Sequence, residues 1–377
     1  MTDAVTDDVA ATRADAERMP RPPLLVVDEL AAYLAREGIG EGPLSWRRIG
    51  DGHSNVTYLV EVGGRSVVLR RGPRPPLPPT THDMVREARV QRLLRAEGVR
   101  VPEILAVCED ASVLGVPFYV MEHLDGVVVT DAVPAVLEGD RARIPLVAID
   151  ALADLHAVDV SQPPLAELGR PDGYLVRQVE RFASLWGTVS RRSIPAVETL
   201  ADWLAAQRPL SQRASVVHGD YRIGNLMLAP HAPVELNAIL DWEMATLGDP
   251  LADLGYFAAT YAEADSAETP LELSPVTRLP DFPSRRALID RYVERTGADV
   301  GALDWYRALA LWKAAVFCEA IHTRWLDGER PGDTFAPTLE RGVPALLAEA
   351  ARAAGVRADP EPAGDPRSRP RPSGTAR

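Results

Sequence analysis

The sequence predicts an α+β chain in which strands come first and helices follow. Three observations lead there. Five short strand-like segments bounded by turn residues fall within 46–60 (two, about a small-residue turn) and at 66–71, 101–108 and 116–124, each too short for a helix. From Ile144 onward apolar residues recur at helical spacing in seven longer segments. Between those helices, the runs Val216-Val217 and Ile239-Leu240 end on polar residues, His218-Gly219-Asp220 and Asp241-Trp242-Glu243, that belong to no core.

Bulk properties narrow the class. At 377 residues the chain has length for about two domains. Its composition, 46% apolar and 25% charged, is that of an ordinary globular protein. A formal net charge of −13 argues against nucleic acid or an anionic membrane as partner, because phosphate surfaces require a basic face. The two cysteines, Cys108 and Cys318, form neither a disulfide framework nor a zinc spacing. The most apolar helix, 308–326, is interrupted by Lys313, Glu319, His322 and Arg324, so it is expected to be buried in protein and not in a bilayer. No N-terminal apolar segment has the pattern of a secretory leader, which leads us to expect a cytoplasmic protein with no membrane and no protein partner. Lys313 is the only lysine, so a cation elsewhere must be arginine.

Taken in order, residues 1–23 are rich in Asp, Ala, Arg and Pro without periodicity and are expected to be disordered. A helix follows at 28–37, with Asp28 as its cap, Leu30, Tyr33 and Leu34 on its apolar side and Gly38 as its stop. The first two strands flank a turn containing Gly50, Gly52 and Ser54, small residues that let backbone N–H groups approach phosphate oxygens; hairpins favour glycine for their own reasons too. The third strand ends on Arg70, a cation able to grip phosphate or carboxylate through its planar fork. After a proline-rich loop at 73–79, a helix at 84–97 begins behind Thr81 or Asp83 and ends at Gly98. Glu87 lies in its first turns, where it could pair with Arg70 or simply suit the helix N-terminus. The fifth strand carries Met121, Glu122 and Leu124 into Asp125-Gly126. Helices are then expected at 144–158, 174–186, 196–207, 249–260, 285–295, 303–326 and 338–353, with a polar loop at 263–283 and a disordered tail at 354–377.

The chemistry concentrates in the two polar stretches. Asp220 and Asn225 have four residues between them, the spacing of a kinase catalytic loop, in which the Asp takes the acceptor's hydroxyl proton and the Asn holds Mg²⁺. Asp241 follows the next apolar run, where a second metal-binding Asp belongs, and Gly248-Asp249-Pro250 with Asp253 comes after it. Single Asp, Asn and Gly residues are ordinary turn formers; it is their joint order that points to phosphoryl transfer.

With these residues in view, the stretch from about Leu30 to Ala350 resembles the aminoglycoside-phosphotransferase-like superfamily of small-molecule kinases. The motifs His218-Gly219-Asp220-Tyr221-Arg222-Ile223-Gly224-Asn225 and Leu240-Asp241-Trp242-Glu243 look most like the branch that includes kinase domains fused to acyl-CoA dehydrogenases, which act on hydroxyacyl-CoA. The resemblance implies a two-lobed, protein-kinase-like fold: a nucleotide-binding lobe at 24–124 made of a five-stranded antiparallel sheet plus a helix, and a mostly helical catalytic and substrate-binding lobe at 125–353. It implies ATP or GTP with Mg²⁺, Asp220 as base, and Asn225 and Asp241 as metal ligands. Arg70 would hold the phosphates and Glu87 would orient it, while Gly50, Gly52 and Ser54 cover the nucleotide and Met121, Glu122 and Leu124 meet its base. Arg70 stands where the family usually has lysine, and Trp242-Glu243 where kinases have Phe-Gly; Glu243 therefore either approaches the metal or braces the turn. The acceptor is expected to be a small hydroxylated molecule. Arg177, Arg181, Arg191 and Arg192 would suit an anionic handle such as coenzyme A; Glu263, Asp265, Glu268 and Glu272 would suit a cationic aminoglycoside. A nucleotide-binding regulator without catalysis is the reading of another class.

Overall fold

Strands first and helices after is also the order in the computed structural model, which describes residues 8–50, 55–75, 83–329 and 332–357. The chain sorts into two units, Met1–Val128 with Asn225–Ala245, and Val129–Gly224 with Thr246–Arg377. The second polar stretch, expected in the helical part, thus belongs with the strands.

The first unit is built on a five-stranded antiparallel sheet, in spatial order Leu44–Ile49, Val56–Val62, Arg65–Arg71, Phe118–Glu122 and Ile104–Cys108. Side chains alternate across it, as the two-residue period of a strand requires. Val67, Leu69, Phe118 and Val120 point to one face and pack under Leu30, Tyr33 and Leu34 of the helix Val27–Arg36. Tyr119 points to the other face, where it packs with Met84 and Ala88 of the helix Met84–Ala96. That helix starts where Asp83 accepts the Arg86 N–H (2.9 Å). A smaller antiparallel sheet, in order Leu236–Ile239, Leu226–Leu228 and Val127–Val128, completes the unit.

The reading of residues 8–23 as disordered is corrected. Val9–Ala10 pairs in parallel with Leu25–Val26, and Arg13–Ala16 is a short helix capped by Thr12. The composition is polar, but Val9 and Ala10 are buried among apolar neighbours and Arg13 Nε meets Glu29 Oε1 at 3.0 Å. Two apolar residues on a strand edge are too few to leave a periodic signal. Asp28 does not cap its helix; its carboxylate accepts the N–H of Glu29 within the first turn. The expected disorder of residues 1–7 and 358–377 lies outside the described residues, whereas Ala354 ends the helix Leu339–Ala354.

The second unit is mostly helical. Its longer helices are Ile144–Ala157, Tyr174–Val189, Pro195–Ala206, Leu251–Thr260, Arg285–Thr296, Leu303–Leu326 and Leu339–Ala354. Strand Ser215–Val217 pairs antiparallel with Thr246–Gly248, so that the His218 loop and the Asp249 turn leave the same short ribbon. Asp249 accepts the Leu251 N–H (2.9 Å) and the Tyr306 hydroxyl (2.8 Å), which starts the helix Leu251–Thr260 and ties it to Leu303–Leu326. Those two helices touch closely: a Cβ on Gly255 would stand 2.5 Å from Tyr306 Cβ. Among the described residues no helix is long and apolar enough to cross a membrane.

Candidate active site

The first unit contributes a buried charge cluster. Arg70 lies opposite Tyr119 in the sheet register and faces the same side, toward the helix Met84–Ala96. Its Nε is 3.0 Å from Glu87 Oε1, and its Nη2 donates to Asp241 Oδ1 at 2.6 Å; Glu243 Oε2 is at 4.0 Å. Tyr119 Oη donates to Glu87 Oε1 (3.0 Å) and accepts from Gln91 Nε2 (3.1 Å). Burial works against the Arg70 charge, but Glu87 foremost, followed by Tyr119, Asp241 and Glu243, holds it above the ordinary arginine range.

Burial pushes the Glu87 carboxyl up to about 7, with Arg70 pulling the other way and Asp241 adding to the rise. Its Oε2 has no hydrogen-bond partner among the described residues. A carboxyl raised in the folded state stabilises most below its unfolded value of 4.5, and that contribution is lost as pH rises through about 7. Glu87→Gln should therefore gain on the wild type between pH 5 and pH 8, by about 3 kcal/mol. Urea unfolding of both proteins across this range measures the gap; a gap that stays constant with pH refutes the assignment.

Asp241 and Asn225 flank adjacent strands of the small sheet. Leu226 pairs with Ile239, and the Leu240 N–H donates to the Asn225 carbonyl (2.8 Å). Asp241 has φ +67°, a left-handed backbone that costs a non-glycine residue about 1 kcal/mol. The turn is held by Trp242, fully buried, whose Nε1 donates to the Ile239 carbonyl (2.9 Å). Asn55 Nδ2 donates to Glu243 Oε2 (2.6 Å), which ties the same turn to the hairpin.

The second unit holds Asp220. The N–H groups of His218 and Gly219 donate to the two oxygens of the buried Asp253, at 2.6 and 2.8 Å. Gly219 has φ +88°, which lets its backbone make that turn without a Cβ penalty. Asp253 also meets His156 Nε2 (3.4 Å), and His156 Nδ1 is 2.7 Å from Tyr292 Oη. The Asp220 N–H donates to His218 Nδ1 (3.2 Å), and Tyr256 Oη donates to Asp220 Oδ1 (2.5 Å). Burial first, then the Asp220 charge, raises the Tyr256 hydroxyl well above its usual value, so it stays a donor. Arg222 Nε lies 3.7 Å from Asp220 Oδ2.

Of the residues singled out by sequence, Arg70, Glu87, Asp241 and Glu243 come together in the first unit, and Asn225 ends the turn that leads into the neighbouring strand, its carbonyl bonded to the Leu240 N–H. Glu243 braces the turn through Asn55. Gly50 has φ +74°, as a turn glycine should, while Gly52 and Ser54 lie outside the described residues. The Glu122 N–H is taken by the Glu103 carbonyl (2.9 Å), and its carboxylate accepts the Glu103 N–H (2.7 Å); Met121 is held in the sheet register opposite Val68, and Leu124 follows the strand end. Arg177 bonds the carbonyls of Arg170 and Asp172, Arg191 pairs with Asp327, and Arg192 meets Glu319 at 2.6 Å. Glu263 pairs with Arg285 and Glu272 with Arg278. Sequence reasoning missed Tyr256, Tyr119, Gln91 and Asn55, whose polar atoms meet the site. An aromatic residue within an apolar helix carries no outward sign of such a role. A recess of about 580 Å³ in the second unit, flanked by Asp159, Ser161 and Arg213, contains none of the motif residues.

In the first unit a sheet arginine is held between Glu87 and the left-handed Asp241, and in the second a glycine-turned loop presents Asp220. Residues 45–309 match the model of the phosphotransferase enzyme family, and the chain belongs to that family of small-molecule kinases. It is 36% identical over 316 residues to acyl-CoA dehydrogenase family member 11 of Gallus gallus, a match covering 80% of this chain and 40% of that protein. It thus spans less than half the length of this curated relative. A candidate aminoglycoside phosphotransferase of Ralstonia eutropha shares the fold with a TM-score of 0.71 and 29% identity, over 88% of this chain and 98% of its own. Spectinomycin phosphotransferase, solved with ADP and spectinomycin, matches with a TM-score of 0.57 and 12% identity over 87% of this chain and 98% of its own, a likeness of fold alone.

Proposed function

We propose that this protein is an ATP- and Mg²⁺-dependent O-phosphotransferase that moves a γ-phosphate to a hydroxyl of a small, hydroxyacyl-CoA-like molecule. The observation that carries this reading is the Arg70 cluster: a guanidinium fixed by Glu87 and Asp241 on rigid sheet elements is pre-organised to bind phosphate oxygens. The Asp241 carboxylate, which gives Oδ1 to Arg70 and is one-third exposed, and the Asn225 amide would supply oxygen donors to a metal. Such a set suits a hard cation. When bound, Mg²⁺ would offset charge on the phosphates. Asp220, kept in place by Tyr256, is the group that accepts the acceptor's proton.

Two features favour an anionic acceptor over a cationic antibiotic. The similar family member 11 dehydrogenase is named for acyl-CoA, and Glu263 and Glu272 are already paired with arginines. The test is a transfer screen with [γ-¹⁸O]ATP over hydroxyacyl-CoAs, amino alcohols and aminoglycosides, read by mass spectrometry. We expect labelled phosphate on a hydroxyacyl-CoA. Label on aminoglycosides alone overturns the acceptor assignment, and ATP binding without transfer to any hydroxyl overturns the activity.

A further inference from the structure

The only lysine of the chain sits in the second unit without a counter-charge. Lys313, on the helix Leu303–Leu326, is half-buried against the helix Tyr174–Val189. Its Nζ donates to Gln178 Oε1 (2.7 Å) and stands 4.8 Å from the centre of the Phe182 ring. No ion pair to a carboxylate is formed by Nζ among the described residues, and Arg181 stands one helical turn beyond Gln178, on the same side of the helix Tyr174–Val189. Desolvation first and Arg181 second bring the ammonium down to about 8, against the pull of Asp253.

Such an arrangement does not serve stability. A methionine would fill the same space at no electrostatic cost, and elsewhere the chain spends arginine wherever it needs a structural cation: Arg192 on Glu319, Arg291 on Asp150, Arg278 on Glu272. Lysine differs in offering a compact charge with three donors, of which Gln178 takes one. The position also relates to Asp220. The lysine's helix, Leu303–Leu326, packs directly on the helix Leu251–Thr260, which carries Asp253, holding the loop before Asp220, and Tyr256, holding the Asp220 carboxylate. Of the four arginines that the sequence offers for an anionic handle, three are committed to carbonyls or carboxylates, and Arg181 is left beside Lys313.

We propose that Lys313 and Arg181 bind an anionic group of the acceptor, a carboxylate or a phosphate, and so select hydroxylated anions as substrates. This rests on the reading above that Asp220 receives the acceptor's hydroxyl. The group would take the two Nζ donors that Gln178 leaves and the Arg181 fork, and would supply the counter-charge that Lys313 lacks.

Because the chain has no other lysine, the acetyl labels from acetic anhydride that survive hydroxylamine, which strips tyrosine and cysteine esters, are the amides on Lys313 and on the N-terminal amine, which serves as the internal reference. In the full-length protein, the Lys313 labelling rate is measured by mass spectrometry with 3-hydroxybutanoyl-CoA, with free 3-hydroxybutanoate and with neutral ethyl 3-hydroxybutanoate. We expect at least fivefold protection by one or both anions and none by the ester. Protection by the thioester alone identifies phosphate as the anchor, and protection by the free acid identifies carboxylate. Equal protection by all three, or by none, overturns the proposal. Because this measurement needs no turnover, it judges the anion site even where no acceptor is phosphorylated, an outcome that counts against the proposed activity instead. In turnover, Lys313→Met should raise KM for the anionic acceptor about tenfold with kcat changed less than threefold, and Lys313→Arg should restore part of the loss. A kcat loss with unchanged KM overturns the recognition role.

Discussion

Asp220→Ala is expected to retain between about a hundredth and a ten-thousandth of wild-type kcat, the range that a positioned general base contributes. The loss should be in turnover and not in nucleotide binding. Asp220 belongs to the second unit, whereas Arg70, Asn225 and Asp241, the residues assigned to phosphate and metal, belong to the first. The geometry around Asp220 supports a base and argues against a turn former. One oxygen accepts the Tyr256 hydroxyl and the other faces Arg222, so the carboxylate is oriented from two sides. Steady-state turnover with the acceptor found by the transfer screen, together with titration of a non-hydrolysable ATP analogue, separates the two effects. Wild-type turnover in the variant removes Asp220 from the chemistry; lost nucleotide affinity with unchanged kcat reassigns it to binding.

Asp253→Ala should be the most damaging single change to stability, at about 2–6 kcal/mol. The Asp253 carboxylate accepts the N–H groups of His218, which is buried, and Gly219, which is half-buried, and meets the buried His156. Removing it strands these two backbone donors, each at about 1–3 kcal/mol. A loss of that size is a large share of the roughly 5–15 kcal/mol that holds an ordinary domain together. Asp253→Asn keeps one carbonyl acceptor and should lose about half as much. Urea denaturation of the three proteins checks the order; an alanine variant within about 1 kcal/mol of wild type means that the loop does not depend on this carboxylate.

What could be read from the chain, and what could not, divides along a physical line. Local signals were legible: short segments between turn residues marked the five strands, and Asp83 marked a helix start. Pairing was not. Arg177, Arg181, Arg191 and Arg192 look alike as sequence, yet the fold commits Arg177 to nearby carbonyls and Arg191 and Arg192 to carboxylates more than 120 residues on. For Glu87 the sequence left two readings open, a pairing with Arg70 and an ordinary place at a helix N-terminus, and the sheet register that puts Arg70 opposite Tyr119 decides for the pairing. Tyr256 is one apolar-helix aromatic among several until its hydroxyl is seen on Asp220. Lys313 was noticeable because it is unique, but its lack of a counter-ion is a fact about three dimensions.

The Arg70–Asp241 contact joins residues 171 positions apart, because the first unit borrows Asn225–Ala245 from beyond the start of the second. At ordinary ribosomal speeds roughly 10–30 s separate the emergence of these two residues. Until then a nascent chain carries a guanidinium and the Glu87 carboxyl without the aspartate that completes their cluster. A fragment cut at Val128 would be frozen in that half-made state, so isolating this unit requires grafting the 225–245 segment onto it by a linker and not simply shortening the gene.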